Sequence, residues 1–124
     1  MYSFRNLQKA RKKNIGGREI RLAVLGNCAT QLLSQAVEGY AKLSNLNLRV
    51  YDTDYGQLNE QLLDPSSEVY SFNAGIILLW LCTEKIYENY LDMPLPSRSS
   101  LADYCIQKIK RYYRTADKTY AGVL

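Results

Sequence analysis

Apolar residues set the elements of this chain, and their period changes along it. Leu22 to Leu25 is an unbroken apolar run with a β-branched member, which predicts a strand over residues 20–25. Gly26-Asn27 then turns the chain. Beyond the turn Leu32, Leu33, Ala36, Val37, Tyr40 and Ala41 recur at i, i+1, i+4, i+5, i+8 and i+9, the spacing of one buried face on a helix over 29–43. Gly39 costs about 1 kcal/mol relative to Ala inside a helix, so it marks a place where this helix crosses the sheet closely. Leu48 and Val50 alternate with Arg49 and predict a second strand over 48–51, with the loop Asp52-Thr53-Asp54-Tyr55-Gly56 at its carboxyl end. A short helix follows over 57–63. Asp64 as a cap and Pro65 at the first helical position restart a helix that Tyr70 and Phe72 anchor.

Residues 74–81 form the strongest predicted strand, and so continuous an apolar run suits a central parallel strand covered on both faces. Thr83-Glu84-Lys85 ends it, and 87–93 reads as irregular or as a short helix. Pro94 and Pro96 mark a loop. Ser99 or Ser100 caps a last helix to about Arg114, with Leu101, Tyr104, Cys105, Ile109 and Tyr112 inward. Residues 115–119 read as a turn and 120–124 as a fourth strand. At the other end, 2–13 reads as a basic helical lead-in with Phe4, Leu7 and Ala10 on one face, and 14–17 breaks it.

This alternation of helix and strand predicts an α/β fold: a three-layer parallel sheet with right-handed crossovers and strand order 2-1-3-4. A length of 124 residues suits one domain. The fourth strand would stop at the chain end with nothing to cover it, which leads us to expect a fragment of a longer protein.

Charge sharpens the picture. Residues 1–21 carry a net +6, residues 22–97 a net −6 and residues 98–124 a net +4. No aromatic-interleaved basic motif accompanies the basic ends, so they read as solvated helix faces and not as a nucleic-acid surface. The longest apolar run, 74–82, is far too short to span a bilayer, and the polar start lacks the apolar stretch of a signal peptide. Three cysteines at unrelated spacings make neither a disulfide framework nor a zinc pattern, which points to a reduced, cytoplasmic setting. The chain has no histidine, so the commonest general base and metal ligand is missing.

Candidate chemistry gathers at the predicted strand ends. Asn27, Cys28 and Thr30 fall at the carboxyl edge of the first strand, where open α/β sheets bind ligands and free helix-start amides favour anions. Cys28 is either a nucleophile whose thiol the helix start would activate or a small residue at a strand-to-helix junction. Without a histidine, binding through Asn27 and the local amides is the stronger reading. Asp52-Thr53-Asp54 has the form of a D-x-D phosphatase centre, but Tyr55 and Gly56 follow it, and a solvated turn accounts for it better. Thr83 and Glu84 would sit beside the first loop. Glu84 either faces Asn27 or opens a helical turn in which Lys85 and Glu88 pair on the surface. The chain has eleven tyrosines, and those near loop ends suit a half-buried core edge or an interface.

Four ordered blocks carry a resemblance: Ile-Arg-Leu-Ala-Val-Leu-Gly-Asn-Cys-Ala-Thr at 20–30, Val-Tyr-Asp-Thr-Asp-Tyr-Gly-Gln at 50–57, Leu-Asp-Pro-Ser-Ser-Glu-Val-Tyr-Ser-Phe at 63–72, and Leu-Cys-Thr-Glu-Lys-Ile-Tyr at 81–87. Together they resemble the N-terminal domain of the FkbH-like proteins, of the HAD-IIIC phosphatase type. The resemblance spans most of 3–124. It implies a downstream HAD catalytic domain as partner, with Mg expected in that domain and no cofactor or metal in this chain. Some members of the family load a glyceryl unit from a small phosphorylated metabolite onto an acyl carrier protein. The family's N-terminal domain is similar to the flavodoxin-like SGNH-hydrolase fold. By position Cys28 stands where that fold has its serine nucleophile, Gly56 matches the second-block glycine, and Thr83 replaces an asparagine; the Asp/His pair would lie beyond Leu124. These departures imply a domain that is not catalytic alone and keeps a pocket of Asn27, Cys28, Gly56, Thr83 and Glu84 for positioning a substrate or carrier protein. The alternatives are an SGNH-type esterase or thioesterase using Cys28, and a non-catalytic assembly module.

Overall fold

The computed structural model describes residues 1–117. Its elements run α1 (Phe4–Ala10), β1 (Ile20–Gly26), α2 (Gln31–Leu43), β2 (Leu48–Asp52), α3 (Leu58–Leu63), α4 (Glu68–Phe72), β3 (Ile76–Trp80), α5 (Thr83–Asp92), a 3-10 turn (Leu95–Ser100) and α6 (Leu101–Asp117). The predicted fourth strand lies outside the described residues.

The three strands form one parallel sheet in the order β2-β1-β3. β1 is central among them because both of its faces are apolar. Leu22 and Val24 point to one side and Ala23 and Leu25 to the other, as the period of two requires. On the first side they join Leu48 of β2 and Ala41 of α2, with Val37, Val50, Ile76 and Leu78 packed around. On the second side Ala23 and Leu25 meet Leu58, Leu62, Val69 and Ile77, closed off by Tyr112 and Ala116 of α6. The register pairs Val24 with Asp52 and Gly26 with Trp80, so all three strands end at the same edge.

Two helix limits are set by recognisable caps. The Ser3 hydroxyl accepts from the Asn6 amide at 3.3 Å and starts α1. Asn73 adopts left-handed backbone (φ 53°) and stops α4.

Several expectations change. Asp64 and Pro65 do not restart a helix: the Asp64 carboxylate accepts from the amide of Ser66 at 2.9 Å in a local turn, and α4 begins three residues later. Thr83-Glu84-Lys85 is the first turn of α5, and of the two readings of 87–93, irregular or short helix, the helical one holds, as the continuation of α5 to Asp92. Ser100 does not cap α6, because its hydroxyl donates back to Ser97 O at 2.7 Å within the 3-10 turn. Residues 115–117 remain helical in place of a turn.

Burial departs in two helices. Leu32 and Tyr40 of α2 are 67% and 44% exposed, since the helix leans on the sheet through Val37 and Ala41 only. The Tyr40 ring instead meets that of Tyr2 edge-on, centroids 5.7 Å apart. Gly39 is tight against α1 and not against the sheet: a Cβ there would lie 2.4 Å from Leu7 O. In α6, Tyr104 and Ile109 are about half exposed, because this helix reaches the core only through Tyr112 and Ala116.

Candidate functional site

The strand ends bring Gly26, Asp52 and Cys82 to one rim. Gly26 permits the turn there. A Cβ at this position would lie 2.6 Å from the Thr30 methyl and 3.2 Å from Cys28 O, so the chain could not fold back so closely with any other residue.

Two of the candidate polar side chains tie the strands together. The Asn27 backbone amide donates to Trp80 O at 3.2 Å, and its side-chain Oδ1 accepts from the Cys82 amide at 2.8 Å. Asn27 thus fastens the end of β1 to the end of β3. Thr30 is buried, and its hydroxyl donates to Asp52 Oδ1 at 2.5 Å, fastening the start of α2 to the end of β2. Thr53 completes the seam, its amide donating to Val24 O at 3.2 Å.

Cys28, Thr83 and Glu84 do come together. With Trp80 and Cys82 they line an open, shallow depression on the rim. Its electrostatics oppose thiolate chemistry. Burial, first, and then the neighbouring Cys82 thiol and the Glu84 charge push the Cys28 thiol above its ordinary value; contact with Trp80 only partly offsets this. The helix start was expected to act the other way, but Cys28 precedes α2 by three residues and meets acidic and apolar neighbours instead. Of the two readings of Glu84, the helical turn is the one seen: it lies in the first turn of α5, and Lys85 and Glu88 pair at 2.6 Å on the surface, while the Glu84 charge reaches Cys28 rather than being seen against Asn27. Gly56 has left-handed backbone (φ 80°) and open space around it, and lines neither this depression nor the cavity below. Its neighbour Tyr55 reaches towards the rim, with Lys85 Nζ 5.6 Å from its ring centroid.

A second hollow lies beside the rim, a cavity of about 160 Å³ between α3, α5 and α6. Asn27 and Leu81 form its rim side and Leu58 its α3 wall. α5 contributes Lys85, Ile86 and Asn89; α6 contributes Cys105, Lys108, Ile109 and Tyr112. The Tyr112 hydroxyl donates to Asn59 Oδ1 and holds α6 against α3. Lys85, Asn89 and Lys108 were not singled out from sequence. The one available signal was spacing: 105, 108, 109 and 112 share a helical face, but which element faces it was not legible.

Among the described residues, no three His, Cys, Asp or Glu side chains are grouped so as to hold a metal ion. No helix among them is long and apolar enough to cross a membrane.

These features define a parallel α/β domain whose strand ends deliver three loops to one edge. Residues 21–123 match the model of the FkbH N-terminal domain, and the chain belongs to that family. The family expected from the four sequence blocks is thereby confirmed. A similar solved structure is described as the N-terminal part of the protein BF1531 from Bacteroides fragilis, containing a phosphatase domain and complexed with Mg. The two agree with a TM-score of 0.84 at 27% identity, over 99% of this chain and 32% of that one. The chain thus spans about a third of the length of that relative. No curated protein matches it.

Proposed function

We propose that this chain is an accessory domain that positions a substrate or carrier protein for a downstream phosphatase-type HAD domain and does not catalyse alone. The observation that carries this reading is the state of the rim. Asn27, Thr30 and Thr53 are bonded into a seam between strand ends. Cys28, the nucleophile candidate by position, has its thiol pushed up and no histidine in the sequence to serve it. Family membership and the phosphatase domain of the BF1531 structure support the same partner. On this reading the sheet continues to the order 2-1-3-4 of a flavodoxin-like, SGNH-like fold, and the chain is one domain of a longer cytoplasmic protein. The phosphatase domain would hold the Mg, since the described residues of this chain offer no ligand set. The rim depression of Cys28, Thr83 and Glu84 is the docking edge, with Asn27 and the Gly56 loop on the same rim beside it.

The test is a titration of the isotopically labelled chain, followed by NMR, with a holo acyl carrier protein and separately with the phosphatase domain of BF1531. Shifts confined to the loops after β1, β2 and β3 are expected with at least one partner. Absence of shifts with both would refute the positioning role. In parallel, hydrolysis of a model thioester that Cys28→Ala abolishes would replace it with the thioesterase reading.

A further inference from the structure

The cavity between α3, α5 and α6 is lined by a half-buried lysine that no acid pairs with among the described residues. Among the described residues, Lys108 makes no ion pair and no hydrogen bond. Its Nζ sits instead 6.0 Å from the ring centroids of both Tyr104 and Tyr112, held by aromatic faces. The second lysine of the cavity, Lys85, is already engaged by Glu88.

Two amide groups on the same lining also have donors left over. The Asn27 Oδ1 is fixed by the Cys82 amide, and this orientation leaves Nδ2 unused. The Asn89 side chain likewise has no hydrogen-bond partner among the described residues. The remaining walls are apolar: Leu58, Leu81, Ile86 and Ile109.

We propose that this cavity is a binding site for a small amphiphilic monocarboxylate. Its head lies against Lys108 with the Asn27 and Asn89 amides, and its short hydrocarbon body lies on the leucine and isoleucine walls. One uncompensated ammonium matches one negative charge, which favours a carboxylate over a phosphate dianion. The size follows from the volume: cavities of roughly 150 Å³ accept a six-carbon ring, so the 160 Å³ here suits a body of about six carbons. The site neighbours the docking edge but does not depend on it. A chain that takes up the acid without touching carrier or phosphatase domain would keep this proposal and sink the positioning role; the opposite pattern would do the reverse.

The probe is hexanoate, titrated into the labelled chain by NMR, with hexanamide and hexyl phosphate as comparison ligands. Hexanoate is expected to shift residues of α5 and α6 that line the cavity, and hexanamide to bind at least about tenfold more weakly, the loss of one charge-assisted contact. Lys108→Gln should weaken hexanoate by about the same factor, while Lys110→Gln, outside the cavity, should not. If Lys108→Gln fails to fold, a second readout on the unaltered chain serves: hexanoate, but not hexanamide, should slow alkylation of Cys105 by iodoacetamide. Equal binding of hexanoate and hexanamide, no binding of either, or an unchanged affinity in Lys108→Gln would overturn the site. Tighter binding of hexyl phosphate than of hexanoate would overturn the assignment to a monocarboxylate.

Discussion

Gly39→Ala is the substitution that separates propensity from packing in this fold. Judged by helix propensity it should stabilise α2 by about 1 kcal/mol. The structure predicts the opposite. The new Cβ would lie 2.4 Å from Leu7 O and 2.8 Å from both the carbonyl carbon and the Cβ of Leu7. Ordinary carbon contacts begin near 3.5 Å, so α1 must withdraw by about 1 Å. α1 is seven residues long, too short to persist by itself. Its order rests on burying Leu7 and Ala10 against α2. Losing the burial of Leu7 alone costs about 2 kcal/mol, and Ala10 adds to that. The net effect is a destabilisation of about 1–2 kcal/mol, or a Tm lower by about 4–8 °C. Urea unfolding followed by circular dichroism measures the first quantity. Trypsin reports on α1 directly, because Lys9, Arg11, Lys12 and Lys13 become cleavable once it lifts away. A variant as stable as the parent, with the same resistance to trypsin, would show that α1 does not pack on α2 at this glycine.

Two further outcomes follow from the seam and the core. Thr30→Val keeps the shape of a buried side chain but leaves the Asp52 carboxylate without its hydroxyl donor, so a loss of about 1–3 kcal/mol is expected in the same unfolding assay; a neutral result would mean that the Thr30–Asp52 bond adds nothing to the seam. The single Tyr51 hydroxyl proton is within reach of Gln61 Oε1 at 3.2 Å and Glu68 Oε2 at 3.1 Å, and burial together with Glu68 pushes the hydroxyl up to about 12. An unfolded tyrosine ionises near 10. Its contribution to stability is therefore fully present below about 10 and is lost as the pH rises from there to about 12. Tyr51→Phe should flatten that segment of the stability–pH curve, and an unaltered slope would contradict the assigned environment.

What sequence reveals here follows from the range of each signal. The strands were legible because Leu22–Leu25 and residues 74–81 carry their apolar period within themselves. Strand 1 beside both others was legible as well, since parallel crossovers leave few alternatives. The limits of α5 were not. Cys82 is a poor cap, and Thr83-Glu84-Lys85 has no apolar period to announce a helix. The partner of Gly39 was not legible either. A glycine announces a close approach without naming what approaches, and here it was a seven-residue helix 32 positions earlier. The tilt of α6 was equally hidden. Its apolar positions fit one stripe, yet only Tyr112 and Ala116 reach the core, because the helix meets the sheet at one end.

The rim shows the same limit in its chemistry. Sequence located it, since parallel strands must end at one edge, and Asn27, Cys28 and Thr30 were bound to lie there. What those side chains do depends on neighbours distant in the chain: Cys82 is 55 positions from Asn27, and Asp52 is 22 from Thr30. Bonds across such separations consume the polar atoms that made these residues look available for a ligand. Among the described residues, unpartnered groups also lie on α5 and α6, where Asn89 and Lys108 read as ordinary surface positions. A sheet edge that uses some of its polar side chains to hold its own strands together can be joined by a second ligand site in the layer above it. In this chain that layer is the pair of helices that follows β3.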